Sequence, residues 1–349
     1  MTTSHPPQPR RIGFKRWIVL GLIFLGGYLA FGVGGIFKPV SPAVVLPGEK
    51  IWPSLAEIPF LGQPLTLTNT LLATLIGDVV LLLMGLAAFR FVRSGKLVPS
   101  GFYNFFELLI EFLWNAAESA AGKWARRIFP FVATIFLIVM VGNLVKLIPG
   151  FESIGYMKEA HGAIKGYEPV VLFGGVYAID GSHEVEHLPE GEHAEGNVPC
   201  HSCEVVPFLR GAATDLNFTF ALAVIAVVMI QVFGVWALGA SYFGKFINVG
   251  GMISRPFFGV IDFGVGLLEL VSEFAKILSF GFRLFGNIFA GALLLSILGA
   301  LTAVVVPSLL YTLEIFVGLI QAYVFAMLAL VFISQATISH HAPGGDEHH

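Results

Sequence analysis

The stretch from Glu269 to Asn287, ELVSEFAKILSFGFRLFGN, lies within a nearly continuous apolar run from about residue 256 to 301. As a helix this run would be roughly 70 Å long at about 1.5 Å per residue, whereas the hydrocarbon core of a bilayer is about 30 Å thick. A helix of that length cannot stand upright in a membrane, so it must break or lie steeply tilted. The stretch therefore predicts an integral membrane protein with an unusual intramembrane helix.

Polar residues recur along this run. Glu269, Lys276, Arg283 and Asn287 are separated by seven, seven and four residues, which places them along one face of a helix. Charges at membrane depth cost several kcal/mol, usually face a polar path or each other, and mark function. Glu273 is an i,i+4 neighbour of Glu269 and precedes Lys276 by three residues, so local ion pairing is predicted.

Arg283 has no carboxylate three or four residues away in the sequence. A guanidinium cannot lose its proton to escape burial, so it needs an anion, water or polar groups from elsewhere. The alternative is a side chain that reaches a lipid headgroup at the end of the helix. Apolar sequence continues about 18 residues beyond it to Leu301, which favours an anion supplied by a partner subunit.

The composition of the whole chain also indicates a membrane protein. Of 349 residues 56% are hydrophobic and 12% charged, with mean hydropathy +0.81, whereas soluble proteins carry about 25% charged residues. The other apolar runs long enough to cross a bilayer are 17–36, 67–91, 128–148, 216–238 and 305–339. The predicted fold is all-α with about six hydrophobic helices. The net charge of −3 and the lack of a basic tail give no indication of nucleic-acid binding.

Basic residues cluster on one side of these helices, before residue 17, between the second and third runs, and after the fourth. The positive-inside rule therefore predicts cytoplasmic N- and C-termini. The loop 151–213, on the other side, holds ten acidic residues. The run 17–36 fits a retained anchor better than a cleaved signal peptide, because it is long for the latter. The segment 99–127 is amphipathic and suits the membrane interface, or the surface of a partner protein.

The last apolar run carries two further polar residues on one helical face, Glu314 and Gln321. A glutamine in a membrane helix commonly bonds a neighbouring helix. A glutamate with no basic residue within one turn is harder to explain in that way. It favours a group that takes up and releases protons.

The run from Arg283 to Gly291, RLFGNIFAG, resembles the arginine motif of subunit a of the F-type ATP synthase. The upstream ELVSEFAK at 269–276 and the downstream QAYVF at 321–325 are also similar to that family. Further similar segments are GNLVKLIP at 142–149, TDLN at 214–217 and VPSG at 98–101. The resemblance covers about residues 67–339. It implies that the last two helices form a long, tilted hairpin lying nearly in the membrane plane against a ring of c-subunits.

The resemblance further implies two aqueous half-channels that open to opposite sides of the membrane, with Arg283 between them. The polar side chains implied along the proton path are Glu314, Gln321, Asn287, Asn217, Asp215 and Glu269. Gln321 would face the arginine, with Asn287 one turn further on. Glu314 would stand in the external half-channel, and Glu269 at the cytoplasmic exit.

Two positions depart from the family pattern. Ala292 occupies a place where some members have a glutamate or histidine, so only Glu314 remains of a titratable pair. Lys146 stands where related sequences often have an acidic residue, and no channel role is assigned to it. The detailed route of the incoming proton is therefore left open.

The resemblance implies a non-catalytic subunit without cofactors, in a bacterial plasma (inner) membrane. Its implied partners are the c-ring, the peripheral-stalk b subunits, the rest of the ATP synthase, protons and membrane lipid. The predicted regions are an N-terminal anchor and external segment at 1–66, membrane helices at 67–150, the acidic external loop at 151–213, the proton-channel core at 214–339 and a His-rich cytoplasmic tail at 340–349.

The acidic loop contains Cys200 and Cys203 with His201 between them. These residues fit a zinc-like metal site, a local disulfide in an oxidising compartment, or no site at all. The sequence leaves the three alternatives open.

Overall fold

A computed structural model describes residues 17, 20, 21, 24, 45, 47–51, 56–58, 63–94, 101–148, 150–160, 164–173, 175–185, 200–246, 256–301 and 305–338. The helices are α1 (Asn69–Arg93), α2 (Phe102–Ala121), α3 (Ala125–Val145), α4 (Leu216–Leu238), α5 (Pro256–Leu301) and α6 (Val305–Ala336). Short 3-10 turns at Gly122–Trp124, Ala212–Thr214 and Gly239–Lys245 flank α3 and α4. The predicted helical class is confirmed.

Five helical segments within the described residues are long and apolar enough to cross a membrane, so the protein is a multi-pass membrane protein. They are Asn69–Arg93, Tyr103–Val145, Leu216–Lys245, Phe263–Leu298 and Val306–Ala336. These correspond to five of the six predicted helices. The sixth predicted helix, 17–36, lies outside the described residues except for residues 17, 20, 21 and 24. The His-rich tail 340–349 also lies outside them.

The predicted amphipathic segment forms α2. Its buried side includes Leu113 and Ala117, whereas Glu107, Glu111 and Glu118 are exposed. The helix ends at Gly122, whose φ of 49° lies in the left-handed region that glycine adopts without a steric penalty. After one 3-10 turn the chain continues as α3. The location of α2 at the membrane interface stays a prediction.

The stretch from Glu269 to Asn287 lies in a single helix, α5, of 46 residues. Its length of roughly 70 Å at about 1.5 Å per residue is about twice the thickness of a bilayer core. The helix is unbroken over this range, which excludes the first of the two alternatives, and the steep tilt stays a prediction. The next helix, α6, has 32 residues.

α5 and α6 pack antiparallel. The ring of Phe280 packs at a tilt against that of Phe325, with centroids 4.8 Å apart. Further along α5, Asn287 bonds Gln321, which comes earlier in α6. Much of the buried side of α6 consists of alanine. Small residues allow membrane helices to approach closely, since lipid supplies no hydrophobic force between them. The buried residues of α6 that pack in this core are Ala322, Phe325, Ala326, Ala329, Leu330, Ile333 and Ala336.

Two small sheets, which the sequence analysis did not predict, accompany the helices. Strands β1 (Ala56–Ile58) and β2 (Gln63–Leu65) pair antiparallel. The predicted acidic loop contains β3 (Gly155–Glu159), β4 (Gly166–Phe173), β5 (Val176–Val185) and β6 (Cys203–Pro207), in the order β3-β6-β4-β5. β4 and β5 form a hairpin in which Phe173 pairs with Val176. The described parts of 157–205 and 293–312 form a smaller compact unit, and the larger unit holds the helical core.

Cys200 and Cys203 form a disulfide, the second of the three alternatives. Both residues are buried, and neither thiol is left to bind a metal. The intervening backbone is held by Glu159, whose carboxylate accepts from the N–H groups of His201 at 3.0 Å and Ser202 at 2.9 Å. The motif thus holds the segment before β6 against β3.

Candidate functional site

Arg283 lies on the exposed side of α5. Its Nη2 donates a hydrogen bond to Ser279 Oγ at 3.2 Å, one turn earlier in the same helix. Among the described residues no carboxylate forms an ion pair with it. Apart from Ser279 and Asn287, the neighbouring exposed side chains of α5 are mainly apolar, and include Phe274, Leu278 and Phe282. A permanently charged group therefore stands on a largely apolar helix surface without an anion from the described part of its own chain.

Asn287, one turn after Arg283, bonds the last helix. Its Nδ2 donates to Gln321 Oε1 at 2.7 Å. Gln321 is 3% exposed, and its Nε2 is buried with no hydrogen-bond partner among the described residues. Buried polar atoms are normally satisfied by protein or by ordered water, so this orphaned donor marks a place where water or a partner group can bind. The two residues that sequence reasoning selected here are in direct contact.

Glu314 has a basic partner after all, supplied by another helix. Lys146 Nζ lies 2.6 Å from Glu314 Oε1, and the two side chains are 4% and 8% exposed. The sequence correctly shows no basic residue within one turn of Glu314, but no role was predicted for Lys146, which supplies the charge from another helix. The residues are 168 positions apart, so periodicity within one helix could not reveal the pair.

Asp215 and Asn217 have different environments. Asp215 caps α4: its Oδ1 accepts from the backbone N–H of Asn217 at 2.9 Å, and its Oδ2 accepts from Thr70 Oγ1 at 2.7 Å. One carboxylate oxygen of Asp215 therefore caps the start of α4, and the other holds the start of α1 beside it. Asn217 is exposed in the first turn of α4. A place on the proton path stays a prediction for both residues.

A second polar cluster surrounds Glu273, and we call it the Glu273 cluster. Glu273 Oε1 lies 2.9 Å from Lys276 Nζ and 3.0 Å from Lys245 Nζ, and its Oε2 accepts from Gln231 Nε2 at 2.9 Å. The predicted local pair with Lys276 is thus confirmed. Tyr242 Oη donates to Gln231 Oε1 at 2.7 Å.

Glu269 lies at the edge of the Glu273 cluster, 3.5 Å from Lys245 Nζ, with its side chain 39% exposed. Sequence reasoning missed Gln231, Tyr242 and Lys245, because they come from α4 and the turn after it. An available signal was Lys245 itself, a basic residue in the short segment that follows the apolar run 216–238.

The predicted polar face of α5 is therefore divided. Near Glu273 it is covered by α4 and the following turn, and its charges neutralise one another. Around Arg283 it is open. Beyond Asn287 it meets α6, where Gly291 lies beside the buried Glu314 carboxylate. The described residues contain no group of three or more His, Cys, Asp or Glu side chains placed to hold a metal ion.

Residues 70–334 match the family model described as ATP synthase A chain. The match includes nearly all of α1 and α6 and every helix between them, together with Arg283, Asn287, Glu314, Gln321 and the Glu273 cluster. This chain belongs to the ATP synthase A chain family.

Proposed function

We propose that this chain forms two proton half-channels against the rotating c-ring of an F-type ATP synthase, with Arg283 separating them. As a member of its family the chain serves in the proton-translocating membrane sector, and the half-channels and the ring contact are the finer part of the proposal. The chain itself catalyses no bond formation. It couples the proton gradient to rotation, and a proton moved across 100 mV supplies about 2.3 kcal/mol.

The observation that carries this proposal is the position of Arg283. It is exposed on an apolar helix surface and has no carboxylate partner in the described part of the chain. A c-subunit carboxylate that passes this surface would supply the missing anion. The guanidinium would favour the ionised carboxylate, promote release of its proton there, and prevent a proton from passing directly between the half-channels.

The external half-channel would include Glu314, Gln321 and Asn287, with Asn217 and Asp215 at its outer end. Glu269 would line the cytoplasmic exit, and its partial exposure beside the Glu273 cluster suits a group at a water-filled opening. A proton would enter from outside, reach the c-subunit carboxylate, travel around the ring and leave past Glu269.

The same proposal places the chain in a bacterial inner membrane with both termini in the cytoplasm, as the Lys and Arg distribution predicts. The peripheral-stalk b subunits would hold it against the rotation of the ring.

Cysteine cross-linking tests whether the Arg283 surface faces the ring. Ala290 is exposed, lies two turns after Arg283 on the same face of α5, and is nearly isosteric with cysteine. Ala290→Cys should form a disulfide with a cysteine introduced beside the c-subunit carboxylate. The two native cysteines are already bonded to each other. Ser119→Cys, an exposed one-atom change on α2, is the control and should give no c-subunit adduct. Equal labelling at both positions, or none at either, would contradict the proposal.

The Asn287–Gln321 contact allows a structural role to be separated from a role in transport. Asn287→Leu removes the only described partner of a buried amide, and an unsatisfied buried polar group costs about 1–3 kcal/mol. Gln321→Leu leaves only the exposed Asn287 without its bond, so the subunit should be destabilised less. If Gln321 serves transport, Gln321→Leu should nonetheless lower ATP-driven proton pumping by about tenfold, equivalent to about 1.4 kcal/mol. If the loss of proton pumping in each variant only matches its loss of stability, the pair serves packing alone.

A further inference from the structure

The Lys146–Glu314 pair is the most deeply buried ion pair among the described residues, with both side chains less than a tenth exposed. Lys146 is the residue that ends α3, where the helix dipole also favours a cation. Glu314 lies in the middle of α6, seven residues before Gln321. Two helices distant in sequence thus each contribute one charge to a single 2.6 Å contact.

Two glycines leave space for this contact. A Cβ at Gly291 of α5 would lie 2.9 Å from Glu314 Oε1, and a Cβ at Gly211 would lie 2.8 Å from Lys146 Cδ. Glu152 lies near the same glycine, and its Oε1 accepts from the Gly211 N–H at 2.9 Å. α5 contributes no charge here, so among the described residues Lys146 is the charged group that directly contacts Glu314.

We infer that Lys146 is a positioning residue of the external proton path, which fixes the Glu314 carboxyl group in place on that path. This inference rests on the proposed function. The ammonium at 2.6 Å holds the carboxyl group through a charge-assisted hydrogen bond, and both side chains are buried. The arriving proton forms an O–H bond on Glu314, Lys146 keeps its own three protons, and the same proton leaves toward Gln321.

The side of α5 next to Glu314 offers no other polar side chain to hold it. Gly291 lies beside the carboxylate, and Ala292 follows it. The contact with Lys146 is therefore the one that fixes Glu314 among the described residues.

The test measures ATP synthesis driven by an imposed proton gradient in inverted membrane vesicles that carry the complete ATP synthase, so that protons enter through the external half-channel. Lys146→Met should lower the rate at least about tenfold, because the Glu314 carboxyl group then loses the charged group that fixes it. Lys146→Arg retains the charge and should restore most of the rate. In a Glu314→Gln background Lys146→Met should cause little further loss. A wild-type rate for Lys146→Met would overturn the inference.

An exchanged pair covers the case in which Lys146→Met does not assemble. Lys146→Glu with Glu314→Lys keeps two opposite charges in the same space but moves the carboxylate to α3. The inference expects assembly with ATP synthesis slowed at least about tenfold, whereas a wild-type rate would assign the pair to structure alone. Arg283→Ala in parallel distinguishes the two proposals. If Arg283→Ala leaves pumping intact, the proposed function fails. If Arg283→Ala abolishes pumping while the Lys146 variants behave as wild type, only the role of Lys146 fails.

Discussion

Arg283→Ala should lower ATP-coupled proton pumping by about two to three orders of magnitude while raising passive proton leakage through the membrane sector. Opposite charges about 4 Å apart near a protein surface attract by about 4 kcal/mol. Since about 1.4 kcal/mol corresponds to a factor of ten, loss of that attraction removes most of the driving force for proton release from the ring. Without the guanidinium the two half-channels are no longer separated, so protons can cross without turning the ring.

The opposite signs of the two effects distinguish this result from misfolding, which would lower both. Pumping is followed by ATP-dependent acidification of inverted vesicles, and leakage by decay of an imposed pH gradient. Arg283→Lys retains a charge but not the planar, forked donor geometry, and an intermediate loss is expected. Arg90→Ala makes the same change at an exposed arginine in the last turn of α1 and should leave both quantities unchanged. Intact coupled pumping in Arg283→Ala would contradict the proposed function.

The sequence predicted the helices well because a membrane imposes a strong local rule. An apolar run of about 20 residues must be helical, since backbone groups find no partners in lipid. The predicted run 216–238 coincides with α4, and 256–301 coincides with α5. The predicted starts of α1 and α3 differ from the structure by two or three residues.

The contacts of the site were predictable only where both partners lie on one helix or belong to a recognised motif. Glu273 and Lys276 are three residues apart, and their pair follows from helix geometry alone. Lys146 and Glu314 belong to different helices, and their contact depends on how α3 packs against α6. Strands β3–β6 could not be predicted in the same way, because their segment has no apolar run long enough to cross a membrane.

The Glu273 cluster was also only half predicted, because one carboxylate accepts bonds from its own helix and from two other elements. Lys276 of α5, Lys245 of the turn after α4 and Gln231 of α4 each donate a hydrogen bond to Glu273. Its side chain is 8% exposed, whereas those of the two lysines are 19% and 22% exposed. The carboxylate is thus the buried centre, and the lysines can still reach water.

Glu273→Ala should therefore lower the stability of the subunit strongly. Removing one partner of a buried ion pair typically costs about 3–5 kcal/mol, because charged and polar groups stay behind unpaired. Here two ammonium groups and the Gln231 amide would lose their common acceptor. The temperature at which the detergent-solubilised ATP synthase releases this subunit should fall markedly. Glu111→Ala, at an exposed position of α2, should leave it unchanged.

Glu273→Gln separates charge from hydrogen bonding within the same cluster. The amide keeps the volume and one acceptor oxygen but leaves Lys245 and Lys276 without a counter-charge, so an intermediate loss of stability is expected. Because the proposed exit passes Glu269, subunits that assemble with Glu273→Gln should still pump protons. A release temperature for Glu273→Ala equal to that of Glu111→Ala would mean that the lysines turn to water when Glu273 is absent. The packing of α4 against α5 would then depend on its apolar contacts alone.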